Sequence, residues 1–395
     1  MSRQRGEFPP RPVAAGGRSD RAALALVAVV AFGVVGLALL GQQAGGGLEP
    51  ADAAHASAAA PSLQAATPPP RAAVPLAPAP SCPAGSTPDE PGSAGQARPP
   101  RSGIAAMAFD RDSGRIVLLV AAAGSPETWT FDVCRNTWTQ MQPTGGPSRE
   151  SATGATLAHD VAADLTIAVG DDGTTWAYDL EADTWIQKGA APTARRLFLV
   201  YDPIAERVIA TSGTAPVQIW AYDVDVDEWT RVAQANAPGR RVELVAYDSS
   251  IDRIVAPRSP AGWVARTRLF DLRTGTWSEA GTLVPSFSDW FMSGGEIAYD
   301  EVGQRTIVFS DGLVLAYDAA ADRWETLYVA DPAAPGGRAG GTARLGHWML
   351  YDPVNERLVI YGGWVRGLHD WADDVLAFDP ATREWTVLLE PSRPH

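Results

Sequence analysis

A repeat built from two halves constrains this chain more than anything else in it. The first half reads as an apolar residue, a variable residue, Tyr and Asp, then a turn, then Arg and a β-branched run. It occurs as MAFDRDSGRIVLLV, LAHDVAADLTIAVG, LVYDPIAERVIATS, VAYDSSIDRIVAPR, IAYDEVGQRTIVFS and MLYDPVNERLVIYG. Its aspartates are Asp110, Asp160, Asp202, Asp248, Asp300 and Asp352, and five residues later stand Arg115, Leu165, Arg207, Arg253, Arg305 and Arg357. The second half places Trp six residues after an Asp: Asp132/Trp138, Asp179/Trp185, Asp223/Trp229, Asp271/Trp277, Asp318/Trp324 and Asp379/Trp385. A fixed interval recurring six times defines an array.

Each half supplies a strand, a tight turn opened by Asp, and a second strand, so each repeat makes two hairpins and one four-stranded sheet. The Asp accepts hydrogen bonds from turn amides. The following Arg is expected to pair back with it at the surface, worth ~0–1 kcal/mol and fixing register. The Trp is placed to bury its ring between adjacent sheets. Such a sheet cannot bury its own faces, whereas six packed radially close on themselves. The expected fold is all-β, a six-bladed propeller over 101–390 with a tail at 391–395. Antiparallel order sends both Asp-led turns of every blade to one face and the variable loops to the other. The repeats begin and end in phase, leaving no spare strand to lock the first blade to the last.

The Asp-to-Trp spacing resembles that of kelch-repeat propellers, with Gly362-Gly363 the one surviving copy of the Gly-Gly pair that usually ends the second kelch strand. WD repeats fit less well, since no Gly-His/Trp-Asp pairs recur at repeat spacing. The resemblance brings in two groups of sugar-active propellers. Galactose oxidase is similar in its blades, but its copper needs a Cys-linked Tyr and a His pair with no match here. Sialidases and kelch-type sialic acid mutarotases are the closer rivals, the former through an arginine cluster. The run Asp171-Asp172-Gly173-Thr174-Thr175-Trp176 resembles one sialidase Asp-box, although Val169 stands where Ser is expected.

Ahead of the array, Ala22 to Leu40 carries no charge and is long enough to span a bilayer as a helix. Arg3, Arg5, Arg11, Arg18 and Arg21 precede it, and no basic residue follows until Arg71. Basic residues stay inside. The expected order is a cytoplasmic segment 1–21, an uncleaved signal anchor 22–41 and an extracytoplasmic remainder, which in a bacterium means the cell surface or the outer face of the inner membrane. Residues 42–100 are rich in Ala and Pro and read as a disordered linker.

Composition narrows the function. A net charge of −14 excludes nucleic acid as partner. Lys188 is the sole lysine, so Schiff-base and P-loop chemistry have no suitable donor. Cys82 and Cys134 are the only cysteines and, outside the cytoplasm, read as a disulfide joining the linker's end to the first blade. His159, His347 and His369 are far apart in sequence, so no metal and no cofactor are expected.

Two groups of residues are candidates for binding. Arg101, Arg149, Arg195, Arg240 and Arg344 recur just before first strands and could ring the channel mouth as a positive funnel for a carboxylate or anionic sugar; the competing reading has them bonding loop carbonyls. Trp263, Trp290, Trp364 and Trp371, with Phe287 and Phe291, fall in expected variable loops and could contact sugar or protein. Glu150 and Glu243 adjoin the arginines and are the carboxylates nominated for acid–base work. The reading that follows is a non-catalytic binding module for protein or glycan. A glycan-processing enzyme and a cell-envelope spacer are the alternatives.

Overall fold

The computed structural model describes residues 76–392 apart from 77, 102–104, 193–195, 215, 235–241, 243, 258–265, 286–293, 331–342 and 366–369. The expected membrane span and the cytoplasmic segment lie outside the described residues. Among those described, no helix is long and apolar enough to cross a membrane.

Six antiparallel sheets form the blades of an all-β propeller. Their innermost strands are Ala105–Asp110, Thr156–Asp160, Leu197–Asp202, Ala246–Asp248, Glu296–Asp300 and Trp348–Asp352, each beside the next around a central channel, with the last beside the first. Blades one to five each have four strands in sequence order; blade six carries an extra short strand, Arg344–Leu345. All six junctions are apolar: every hydrophobic cluster draws side chains from two neighbouring blades.

The twelve Asp-led turns share one geometry. Each leading carboxylate accepts a backbone N–H from two or three residues on, for example Cys134 onto Asp132 at 2.9 Å and Gly303 onto Asp300 at 2.8 Å. Four residues after every Asp the chain enters the left-handed region, at Gly114 and Gly275 but also at Asn136, Asp183, Asp227, Asp322, Glu356 and others. This is a type I turn followed by a bulge, a common closure for three- to five-residue hairpins.

The Asp–Arg pairs differ from the expectation in two ways. The first-half aspartates are buried, Asp248 and Asp352 completely. Their arginines also divide: Arg305 and Arg357 pair with their own turn at 3.2 and 3.4 Å, whereas Arg207 and Arg253 reach Asp223 and Asp271 of the neighbouring turn. Of these pairs only Arg357–Asp352 is buried on both sides, so losing one partner there costs more than at a surface.

The repeat tryptophans pack on the preceding blade. Trp185 stacks on Tyr178 at 4.8 Å and donates its indole N–H to Thr128 of blade one at 2.9 Å. Trp229 and Trp324 donate likewise to Thr175 and Thr267.

Residues 78–100, expected to be the end of a disordered linker, lie instead as a strap across the first and last blades. Cys82 is joined to Cys134. Asn136 donates to the carbonyls of Pro88 and Glu90, Gln96 accepts the N–H of Trp138, Gly92 donates to Leu388, and Arg98 to Glu390. The strap therefore bridges blades one and six, where no strand is shared. Composition hid it because the contacts are made by backbone groups and isolated polar side chains, with no apolar periodicity.

Candidate functional site

The channel narrows between two ends of different chemistry. Toward the Asp-turn face it is ringed by one aromatic or imidazole per blade: Phe109, His159, Tyr201, Tyr247, Tyr299 and Tyr351. Above them Met107, Leu157, Leu199, Val245, Ile297 and Met349 make an apolar collar shared by both ends. Toward the loop face the channel widens into a cavity of about 450 Å³.

Among the described residues, two ionisable side chains line that cavity, Arg196 and Glu296. Arg196 is exposed, in the left-handed region at φ 48°, with its own N–H held by Asp171 at 3.0 Å and its carbonyl accepting from Gly213 at 2.7 Å. This backbone clamp fixes the position of the Arg196 main chain at the cavity's edge. Glu296 opens the inner strand of blade five, after Gly294 and Gly295. It is partly exposed within the channel, and desolvation by the surrounding protein raises its carboxyl to about 8. At neutral pH it is mostly a neutral acid, able to donate a hydrogen bond. The lobe thus presents a guanidinium and a carboxylic acid O–H, both donors, with Phe198 and Trp348 in the wall.

The sequence candidates divide. Arg195, Arg240, Glu243, Trp263 and Trp290, with Phe287 and Phe291, lie outside the described residues. Arg344 is 2% exposed, bidentate to Asp374 at 2.9 and 3.0 Å and bonded to the Gly362 carbonyl at 2.8 Å. Arg101 pairs with Asp370 and Asp373. Exposed Arg149, in the single turn Arg149–Ala152, donates to the Ala123 carbonyl at 3.1 Å and borders a cleft with Trp185, away from the channel. These three hold their own loops and strands, and no arginine ring assembles among the described residues. Glu150 is exposed on the same turn.

The structure also places Trp364 and Trp371 in strands rather than loops. They face each other across a long hairpin, Arg357–Val365 with Asp370–Asp379, rings 5.8 Å apart and edge to face. Gly362 and Gly363 make its bulge, with φ of 65° and 99°. A Cβ on Gly363 would sit 2.8 Å from Cβ of His347, so this pair of glycines lets the strand pass the buried imidazole. His347 is held neutral, its pKa lowered to about 3 by burial and by Arg344. The Asp-box resemblance resolves into a local turn: Asp172 accepts from Thr174 and from Ser151 Oγ at 2.7 Å.

Arg196 and Glu296 were missed because neither belongs to a motif. The available signal was Glu296 itself, a carboxylate in a position occupied elsewhere by Ala106, Thr156, Phe198, Leu244 and Trp348. No protein family and no curated protein matches the chain by sequence. Among solved structures, a chain in the crystal structure of a nidogen/laminin complex is similar over 56% of this chain and 78% of its own, at 13% identity and a TM-score of 0.41.

Proposed function

We propose that this chain is a kelch-like binding module, held at the outer side of a membrane by residues 22–41, that takes a small carboxylate-bearing ligand such as an acidic sugar at the loop end of its channel. The observation that carries this reading is that Arg196 and a neutral Glu296 line the same cavity. A guanidinium and a carboxylic acid O–H bordering one concave site of mixed polar and apolar lining suit a carboxylate, which offers only acceptors. The Cys82–Cys134 bond supports an oxidising compartment.

The test is calorimetric titration of the full-length chain with N-acetylneuraminic acid and glucuronic acid, with glucose as the neutral control. The acidic sugars bind, Arg196→Ala weakens them at least tenfold, and affinity falls as pH rises through about 8, where Glu296 ionises and turns from donor to repelling charge. Glu296→Gln, a permanent donor, abolishes that pH dependence. No heat from either acidic sugar, or binding indifferent to Arg196→Ala, overturns the reading. A neutral carboxylic acid is also what a glycan-processing enzyme needs as proton donor, so turnover of the sugar under the same conditions would replace binding with catalysis.

A further inference from the structure

The repeat serves as its own control for a second site, on the opposite face. In the ring of residues that precede the first-half Asp, five blades carry Phe or Tyr, and blade two carries His159. Five residues after that Asp, the other five blades carry Arg, and blade two carries Leu165. Both departures fall in one turn. They exchange an aromatic ring for an imidazole and remove the cation opposite Asp160.

The consequence is a cluster across the junction of blades one and two. Asp110, His159 and Asp164 bring one ligand atom each within 4.8 Å of one another. His159 Nε2 also lies 3.4 Å from Asp112 and 3.9 Å from Asp164. None of the three aspartates is paired with Arg or Lys among the described residues. The imidazole is held in place by burial, its side chain only 3% exposed, and its Nδ1 has no hydrogen-bond partner. In blade three the same position points the same way, with the Tyr201 phenolic oxygen accepting the N–H of Ala162 in the preceding turn. Blade two sends a nitrogen ligand there, and blade one answers with carboxylates.

At 3.4 Å the His159–Asp112 contact is a long hydrogen bond, and at 3.9 Å Asp164 lies beyond one. A charge-assisted N–H···O bond is about 2.7–2.9 Å long. Two ligands about 2.1 Å from a common ion are about 3.0 Å apart at a right angle and about 3.4 Å apart at the tetrahedral angle. We infer that Asp110, His159 and Asp164, with Asp112 beside the imidazole, form a site for a divalent transition cation of the zinc or manganese class, bridging blades one and two at the Asp-turn face. The imidazole selects against calcium and magnesium, which take oxygen ligands. Looking for several histidines close in sequence misses such a site, because one His and carboxylates from two blades make it. It is independent of the loop-face reading.

The experiment is metal uptake by the chelator-treated full-length chain, dialysed separately against micromolar Zn²⁺ and Mn²⁺ and assayed by elemental analysis and calorimetry. The wild type takes up one equivalent of at least one of the two ions, retained against a hundredfold excess of Mg²⁺ or Ca²⁺. His159→Tyr restores the residue type of the other blades, and Asp164→Asn keeps a side chain that tolerates the φ of 53°. Each weakens binding at least tenfold, with thermal unfolding of the metal-free protein unchanged in His159→Tyr. No stoichiometric uptake, displacement by Mg²⁺ or Ca²⁺, or retention of full affinity in both variants overturns the assignment.

Discussion

Two side-chain couplings distinguish the blade junctions from one another. Tyr178, Tyr222 and Tyr317 donate to Asp183, Asp227 and Asp322 five residues on, and those carboxylates accept backbone N–H groups of Gln142, Gly189 and Gly281 from the preceding blade. Where the Tyr is replaced by Phe131, Phe270 or Phe378, the partner is Asn136, Gly275 or Arg383. The Trp–Thr bonds follow the same division. Thr128, Thr175 and Thr267 stand four residues before a second-half Asp and receive the next blade's indole; Ile219, Val314 and Val375 occupy the same place elsewhere, and Trp277, Trp385 and Trp138 have no acceptor. Thr267→Val, nearly isosteric, strands the buried N–H of Trp324 and is expected to cost about 1–3 kcal/mol. Val314→Thr offers an acceptor to Trp385 and is expected to stabilise by up to about 1 kcal/mol. Urea unfolding of the two variants decides this, and an unchanged midpoint for Thr267→Val would mean the bond contributes nothing.

At the scale of elements, the strap does what no strand does. It reaches blade six through Leu388, Glu390 and Arg357, and blade one through Asn136, Trp138 and the disulfide. The bond closes a span of 52 residues in sequence, for which the chain-entropy account gives roughly 4 kcal/mol. Cys82→Ser with Cys134→Ser is therefore expected to lower the unfolding temperature by several degrees under non-reducing conditions. If the melting temperature stayed put, the strap would be a passenger on the ring. Strands, turns and blade number were legible in the sequence because Asp, Trp and the β-branched runs recur at fixed spacing, and each performs the same task in every copy. The strap was not, since Pro, Ala and Gly leave no pattern when backbone carbonyls make the contacts. The loop-end cavity was only half legible: the arginines before first strands stood out, but Arg101 and Arg344 meet carboxylates of the long blade-six hairpin, a long-range pairing that spacing along the chain does not reveal. Glu296 acquires its character from five other inner strands.

For the whole molecule, the couplings make an uneven ring. The junctions of blades one with two, two with three, and four with five carry both the Trp–Thr and the Tyr–Asp bonds. The junctions three with four, five with six and six with one carry neither, although all six are apolar. A propeller is close to a one-dimensional array, in which each blade is stabilised mainly by its neighbours, so opening starts at the weakest interfaces. The strap compensates for the missing bonds at six with one, where Gln96 holds the N–H of Trp138 and its amide donates to the Asn136 carbonyl. That leaves three with four and five with six. Hydrogen exchange followed by mass spectrometry should show the outer strands bearing Trp277 and Trp385 exchanging before those bearing Trp185, Trp229 and Trp324. The strand bearing Trp138 should join the fast group only after Cys82 and Cys134 are reduced. Uniform exchange across the six outer strands would show instead that apolar packing alone sets the cooperativity of the ring, and that the polar couplings serve register rather than strength.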